Sequence, residues 1–390
     1  MRRLKVAIGV DDLFGPVPGG GGQGRVVVSL LRELAEWDTE TEYTLYSARA
    51  IGTLPPVLAS LPPHMRLVQL PVRKPQLTYL GWHTLRRPRL ERWIGAHDVV
   101  HATSPNVVPA CGDARLVLTV HDLVWSRFPE GLTFWGRFFH RTGLTIAARE
   151  AAAIAADSEA TRADVFERMG DDLDRSIVHC IHLGTDFVAV KDASRIAAVQ
   201  ATLGITGDYV LAIGTREPRK NHRRLLEAFH ALPNELRART QLVVVGAAGW
   251  GVEGGWLDST DRVVWTGYLP DEDMRALLSG ATAFAYPSLF EGFGLPILEA
   301  MACDVPVITS NTSSMPEVAG DAALLVEPTN VPSITAALSR LLGDDALRRS
   351  LVARGRIQRA RFSNRRMAEQ YRDLYEQVAR GAAARRPANV

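Results

Sequence analysis

The sequence predicts an α/β protein with two doubly wound parallel sheets, and three observations carry that prediction. Short apolar runs alternate with amphipathic helical stretches along nearly the whole chain, the pattern of strands covered on both faces by crossover helices. The alternation pauses in a polar stretch at 184–208 and restarts with a clean strand at Tyr209. The 390 residues suit two domains of roughly 100–200 residues each.

The strand candidates of the first half are 5–10, 43–46, 66–70, 98–101, 116–120, 154–156 and 177–181, with helical stretches such as 25–36 and 162–169 between them. The second half repeats the scheme with strands at 209–213, 242–245, 263–266, 281–287 and 305–309, and helices that include 221–232 and 271–278. The expected organisation is a first domain at 1–183, a linker at 184–208 and a second domain at 209–365. A C-terminal helix at 366–380, with Ser363 as N-cap, returns to the first domain, and the small, basic tail 381–390 is disordered.

Composition narrows the function classes. Hydrophobic residues make up 46% and charged residues 23%, values of an ordinary soluble domain and not of a disordered chain. Forty-five Lys and Arg against 43 Asp and Glu give a net charge of +2, which supplies no global attraction for nucleic acid. Cys111, Cys180 and Cys303 are scattered and odd in number, so they offer neither a disulfide framework nor a CxxC metal site. The N-terminus starts like a signal peptide, but Lys5 interrupts the apolar run and Asp11 and Asp12 stop it; a buried first strand is the better reading. No run of about 18 apolar residues would cross a membrane. A cytoplasmic protein is expected, with room for peripheral contact at the inner face of the membrane.

Ligands of open α/β sheets bind beyond the carboxyl ends of the strands, so the segments after the strands carry the chemistry. The glycine run formally contains G-x-G-x-x-G at Gly19, Gly21 and Gly24. A dinucleotide fingerprint would follow its strand directly, whereas here residues 11–18 intervene. The run reads as a loop whose backbone N–H groups approach a phosphate or sugar and close onto the helix at 25–36. Directly after the strand at 209–213 comes Gly214-Thr215-Arg216-Glu217-Pro218-Arg219-Lys220-Asn221-His222. Arg219 and Lys220 precede a helix that Asn221 can cap, and two cations beside a helix N-terminus suit a diphosphate.

The most specific segment is Pro287-Ser288-Leu289-Phe290-Glu291-Gly292-Phe293-Gly294-Leu295-Pro296-Ile297-Leu298-Glu299-Ala300-Met301-Ala302-Cys303. Gly292 and Gly294 let backbone N–H groups face a ligand, Pro296 suits a first helical turn, Glu291 lies in the loop, and Glu299 lies on the helix where a carboxylate can hold a diol. First-turn acids complementing the helix dipole would explain Glu299 in part, but neither Glu291 nor the Gly-Phe-Gly.

This segment resembles the E-x7-E motif of retaining glycosyltransferases of the GT-B fold, family 4, in a mannosyltransferase-like subgroup. The resemblance covers nearly the whole chain: Gly22-Gln23-Gly24-Arg25, Thr119-Val120-His121-Asp122-Leu123, Asp157-Ser158-Glu159-Ala160-Thr161, Gly184-Thr185-Asp186, the P-R-K-N run ending at Asn221, Thr266-Gly267-Tyr268 and 311–320 all continue it. Departures are Asp304, where the family usually has Gly, and the acidic Ala155-Ala156-Asp157. The resemblance implies two Rossmann-like domains facing across a cleft, with a nucleotide sugar (GDP-mannose favoured over UDP-sugars) as donor. Arg219 and Lys220 would hold the diphosphate and stabilise its departing charge. Glu291 would contact the sugar ring, Glu299 the ribose, Thr215, Phe293, Gly294 and Leu295 the sugar and phosphate, and Gly267 and Tyr268 the base. His121 would sit near the transferred sugar, and Gly22 and Gly24 near phosphate or acceptor. The acceptor would be a hydroxyl of a glycan, a lipid-linked molecule or a small molecule.

No cofactor or metal is expected: neither Asp11-Asp12 nor Asp171-Asp172 forms a strand-end D-x-D, and H-E-x-x-H is missing. Two aromatic-basic stretches, 73–92 and 125–141, read either as helix faces with snorkelling arginines or as a platform for a phosphorylated or lipid-linked acceptor or a membrane surface. Arg86, Arg87 and Arg89 are the cations expected to select the acceptor. Competing classes are a sugar-nucleotide epimerase, which would lack the G-F-G-L-P loop, an α-glucan phosphorylase, which needs a far longer chain, a nucleotide-sugar-binding protein without catalysis, and a nicotinamide dehydrogenase resting on the displaced glycine run alone.

Overall fold

Apolar segments of the first half pair side by side, and the central ones are buried on both faces. In the computed structural model, which describes residues 2–15, 21–251 and 262–381, they form β1 (Lys5–Gly9), β2 (Glu42–Ser47), β3 (Met65–Gln69), β4 (Val99–Ala102), β5 (Arg115–Val120), β6 (Ala151–Ala156) and β7 (Val178–Cys180). All pairings are parallel, in the order β3-β2-β1-β4-β5-β6-β7. The second half forms β8 (Asp208–Ile213), β9 (Thr240–Val245), β10 (Val263–Gly267), β11 (Ala283–Tyr286), β12 (Val307–Ser310) and β13 (Ala323–Val326). These are again parallel, in the order β10-β9-β8-β11-β12-β13. Strand β13 escaped the sequence reading because Ala-Leu-Leu-Val is a short edge strand, buried throughout only at Val326.

The chain divides into two compact units: residues up to Gly184 together with those from Asn364 onward, and Thr185–Ser363. The stretch 184–208 is therefore not a weakly structured linker. Asp192 caps the helix Ala193–Thr202 by accepting from the backbone N–H of Ser194 and Arg195, and Val190 N–H donates to Ser279 Oγ at 2.9 Å. Its polar surface hid a helix with a single buried apolar contact, Val199. The expected tail lies outside the described residues from 382 on.

Each sheet is sandwiched. In the second unit Leu225 and Phe229 pack with Ile334, Leu338 and Leu341 against Val210, Leu242, Val244 and Ile308. In the first, Leu118, Leu144, Ile154 and Val165 and Tyr46, Trp82, Leu90 and Val100 form two clusters side by side on one face, since Val100 stands in register with Leu116 and Ala102 with Leu118. The helix Asn364–Arg380 belongs to the first unit and buries Met367, Tyr371, Leu374, Tyr375 and Val378 along one stripe, the spacing of an amphipathic helix. A buried polar chain ties it to the sheet: Tyr375 Oη lies 2.7 Å from His101 Nδ1, His101 Nε2 lies 2.8 Å from Thr119 Oγ1, and Thr119 Oγ1 lies 2.8 Å from Tyr371 Oη.

Burial pushes His101 down to about 3, His83 to about 4 and His222 to about 4, from an ordinary 6.5. Unfolded, each takes up a proton near pH 6.5 that the native state refuses, so their neutral burial favours the fold fully above that pH and progressively less below it. The denaturation free energy should fall as pH drops from about 7 to about 5. Tyr375→Phe, which leaves His101 Nδ1 buried without its partner, should cost about 1–3 kcal/mol in denaturant melts.

Candidate active site

The two sheets each have one place where the build order reverses, between β1 and β4 and between β8 and β11, and such switch points open a crevice at the strands' carboxyl ends. In the second unit the chain leaving β8 runs through Gly214 into a tight 3-10 turn, Pro218–Lys220, and the chain leaving β11 runs through Pro287 to Gly294 into the helix Leu295–Ala302. The two loops touch through Leu289 N–H donating to Arg219 O at 2.7 Å. Gly214 sits at φ +152°, and a Cβ there would meet Lys220 Cδ at 3.0 Å; its bareness lets Lys220 fold back along the loop.

The loops place a carboxylate between two cations. Glu291 Oε1 accepts from Lys220 Nζ at 2.7 Å and Oε2 from Arg219 Nη1 at 2.9 Å. Arg219 Nε also donates to Glu217 at 2.8 Å, and Lys220 Nζ to Tyr286 Oη at 2.7 Å. Burial alone would raise the Glu291 pKa, but Lys220 and Arg219 bring it down to about 2. Burial holds Lys220 below its ordinary value, with Glu291 working against that shift. The backbone of Glu291 is pinned as well, its carbonyl accepting from Ser313 Oγ at 2.5 Å and Ser314 Oγ at 3.0 Å. Ser314 Oγ also lies 2.7 Å from Phe293 O.

Asn221 does not cap the helix His222–His230 with its side chain. It is left-handed, φ +59°, and its Nδ2 donates to Pro287 O at 2.9 Å and Pro328 O at 2.7 Å. One amide thus joins the ends of three loops. Around this centre Phe293 is buried against Phe362, with ring centroids 5.8 Å apart. Gly294 takes φ +105° where the Leu295–Ala302 helix begins, a conformation a side chain would strain. Thr215 lies in the loop after β8, its carbonyl accepting from Glu217 N–H at 2.8 Å. Glu299, one turn into the helix, is 1% exposed. Gly267 and Tyr268 lie farther off, at the end of the outermost strand β10, with Tyr268 76% exposed.

In the first unit His121 follows β5. Its Nδ1 lies 2.7 Å from Asp157 Oδ2, both side chains are buried, and Nε2 has no hydrogen-bond partner. Burial would lower the His121 pKa, but Asp157, helped by Asp12 and Asp122, lifts it to about 9; the imidazole is a held cation. Asp11 is a structural acceptor, taking the backbone N–H of Ala48 at 2.8 Å and Tyr79 Oη at 2.7 Å.

Several expectations change. Gly22 and Gly24 belong to the first turn of the helix Gly21–Trp37, which begins before the predicted position 25; Gly19 lies outside the described residues. Arg86 is not an acceptor-facing cation: its guanidinium clamps Glu150 at 2.7 Å and the carbonyls of Trp82, Val108 and Pro109. Tyr79 and Trp82 of the same stretch are core residues. Asp304 adopts φ +57°, the left-handed region that favours glycine, and both its oxygens accept from Arg356 at 2.7 Å. Sequence reasoning gave no role to Glu217, Tyr286, Ser313, Ser314 or Asp157. Glu217 and the two serines stood inside recognised segments, and Tyr286 and Asp157 at strand ends; position at a carboxyl edge was the available signal.

Two parallel sheets in tandem, each with its own switch point, make the plan of a GT-B enzyme. A sucrose-phosphate synthase from Thermosynechococcus elongatus shares the fold with a TM-score of 0.71 at 22% identity, over 96% of this chain and 99% of that one. The chain belongs to glycosyltransferase family 4: the family model "Glycosyltransferase Family 4" matches residues 20–188 and "Glycosyl transferases group 1" matches residues 200–358. It is 33% identical to O-antigen chain mannosyltransferase B of Escherichia coli over 372 residues, covering 92% of this chain and 96% of that protein. Serotype-specific mannosyltransferase WbdA of Escherichia coli is 32% identical over 225 residues, 55% of this chain and 27% of that protein. The chain is thus a glycosyltransferase. Among the described residues, no helix is long and apolar enough to cross a membrane.

Glu291→Gln should lower stability by about 3–5 kcal/mol, the cost of leaving a buried cation without its counter-charge. Denaturant melts of the wild type and the variant check this, and a variant as stable as the wild type would show the cluster to be solvated.

Proposed function

We propose that this glycosyltransferase moves a hexose, mannose in the favoured case, from a nucleotide-diphosphate sugar to a hydroxyl of a glycan, with retention of configuration and without a metal ion. The carrying observation is the buried Arg219–Glu291–Lys220 cluster at the switch point of the second sheet. GDP-mannose is favoured over a UDP-sugar because the two relatives above are named for mannose. The first of them is named for O-antigen chains, which supports a glycan acceptor over a small molecule.

The chemistry follows from the charges. Glu291, ionised down to about pH 2, keeps two cations side by side that would otherwise repel. Lys220 has three N–H donors, of which Tyr286 and Glu291 engage two; the third is available to a donor phosphate. As the glycosidic bond breaks, negative charge grows on the leaving phosphate, and preorganised cations stabilise it without reorganisation of solvent. The same phosphate oxygen can take the proton of the attacking hydroxyl on the face it leaves, which gives retention. Glu299 is assigned to the ribose, Phe293, Gly294, Leu295 and Thr215 to sugar and phosphate, Gly267 and Tyr268 to the base, and the His121 cation to the transferred sugar.

Incubation with GDP-mannose and a panel of UDP-sugars, followed by proton NMR, should show turnover of one donor with the anomeric configuration kept. EDTA should leave the rate within about twofold, since cations and helix N-termini carry the phosphate charge. An inverted product would end the front-face reading, and Mg²⁺-reversible loss of turnover in EDTA would end the metal-free one.

A further inference from the structure

The first unit carries an exposed aromatic and cationic edge that the transfer chemistry does not use. The helix Pro75–Thr84 follows β3 and the helix Phe134–Glu150 leads directly into β6. In a parallel sheet both therefore run against the strands, with their N-terminal turns at the strands' carboxyl edge. They lie side by side: His83 meets Phe139 edge-on at 5.0 Å and Thr142 Oγ1 at 2.7 Å. Beyond the end of the first helix, Arg86 grips Glu150 at the end of the second.

At the shared N-terminal end Leu77 is 62%, Phe134 67% and Trp135 55% exposed. Trp135 meets Phe134 and Phe138 edge-on, with ring centroids 5.6 Å and 5.8 Å away, so the apolar surface is a held cluster and not a set of loose side chains. Lys74 precedes it, and Arg137 and Arg141 follow Phe134 at helical spacing; all three are exposed, and among the described residues none of them meets a carboxylate. The helix Pro75–Thr84 has no acidic residue, and the only one in Phe134–Glu150 is the clamped Glu150. The exposed carboxylate nearest in sequence is Glu130, in the turn before the second helix.

We infer that this edge, with Leu77, Phe134 and Trp135 flanked by Lys74, Arg137 and Arg141, is a docking surface for an anionic lipid bilayer. Aromatic and apolar groups at a helix end enter the headgroup boundary, and cations beside them meet lipid phosphates, which is how an interfacial surface divides its work. With no acidic residue in either helix but the clamped Glu150, the edge joins exposed aromatic surface to uncompensated positive charge, the pairing that a phosphate-rich headgroup layer over acyl chains complements. The inference does not depend on the donor chemistry proposed above, although His121 follows β5 at the same carboxyl edge and a membrane-held acceptor would there approach the transferase from the lipid side.

Sedimentation of the full chain with phosphatidylcholine vesicles, with and without phosphatidylglycerol, tests it. The wild type should bind the anionic vesicles and lose affinity with added salt. Phe134→Ser with Trp135→Ser, and separately Arg137→Ser with Arg141→Ser, should each weaken binding by about tenfold or more. Their thermal midpoints and their donor hydrolysis in lipid-free buffer should stay at wild-type values. A wild type that remains in the supernatant, or variants that bind as well as it does, would overturn the proposal. So would a self-associated wild type that the Phe134 and Trp135 changes convert to monomer, which would make the edge a protein contact, or donor hydrolysis that collapses in the variants, which would make it part of the catalytic site. Vesicle binding without turnover of any donor would leave this surface standing and remove the proposed reaction.

Discussion

Two cations can stand side by side in a buried pocket only when a carboxylate stands between them, and the second unit is organised around that requirement. Glu291 satisfies it with one oxygen for Lys220 and one for Arg219. Removing any of the three leaves charge in a medium that solvates it poorly, so the cluster is stable only as a whole. Glu217 on the far side of Arg219 brings the group to two cations and two carboxylates, which is why a site read as cationic can be buried at all.

The surrounding backbone serves this geometry. Arg219 and Lys220 are fixed because the 3-10 turn ends at a left-handed Asn221 whose amide is anchored to two distant carbonyls. Glu291 is fixed because Ser313 and Ser314 hold its carbonyl. These contacts come from loops after β8, β11, β12 and β13, four neighbouring strands around the switch point. The parallel sheet brings the loops to one edge, and hydrogen bonds of about 2.5–3.0 Å between them set the positions that a helix or strand alone would leave loose.

The fold was legible because strand and helix periods alternate cleanly, and most expected strands lie within a residue or two of the observed ones. Strand β13 was not, because its Ala-Leu-Leu-Val run is built mostly of residues that prefer helix to strand. The helix at Ala193–Thr202 was not, because Val199 is its single buried apolar residue. At the site, Arg219, Lys220 and Glu291 were legible as types in a motif, but their mutual pairing was not: a sequence shows three charges more than 70 positions apart at the extremes, and only the adjacency of β8 and β11 reveals that one neutralises the others. Arg86 shows the converse. Among aromatics it reads as a cation for a ligand, and only the fold shows four carbonyl and carboxylate partners closing around it.

The same device recurs in the first unit in a different form. His121 is a cation because Asp157 lies behind it, as Lys220 is held by Glu291. The histidine differs in having its outer nitrogen unpartnered, so its charge is directed along one N–H bond. With Glu291 titrating near 2 and His121 near 9, both charged forms persist across the neutral range. Electrostatic stabilisation depends on charges already in place when the bond breaks. A carboxylate set behind each cation supplies this: Glu291 opposes the burial that lowers Lys220, and Asp157 opposes the burial that would lower His121, so at both positions the fold works against the loss of charge that burial alone would bring.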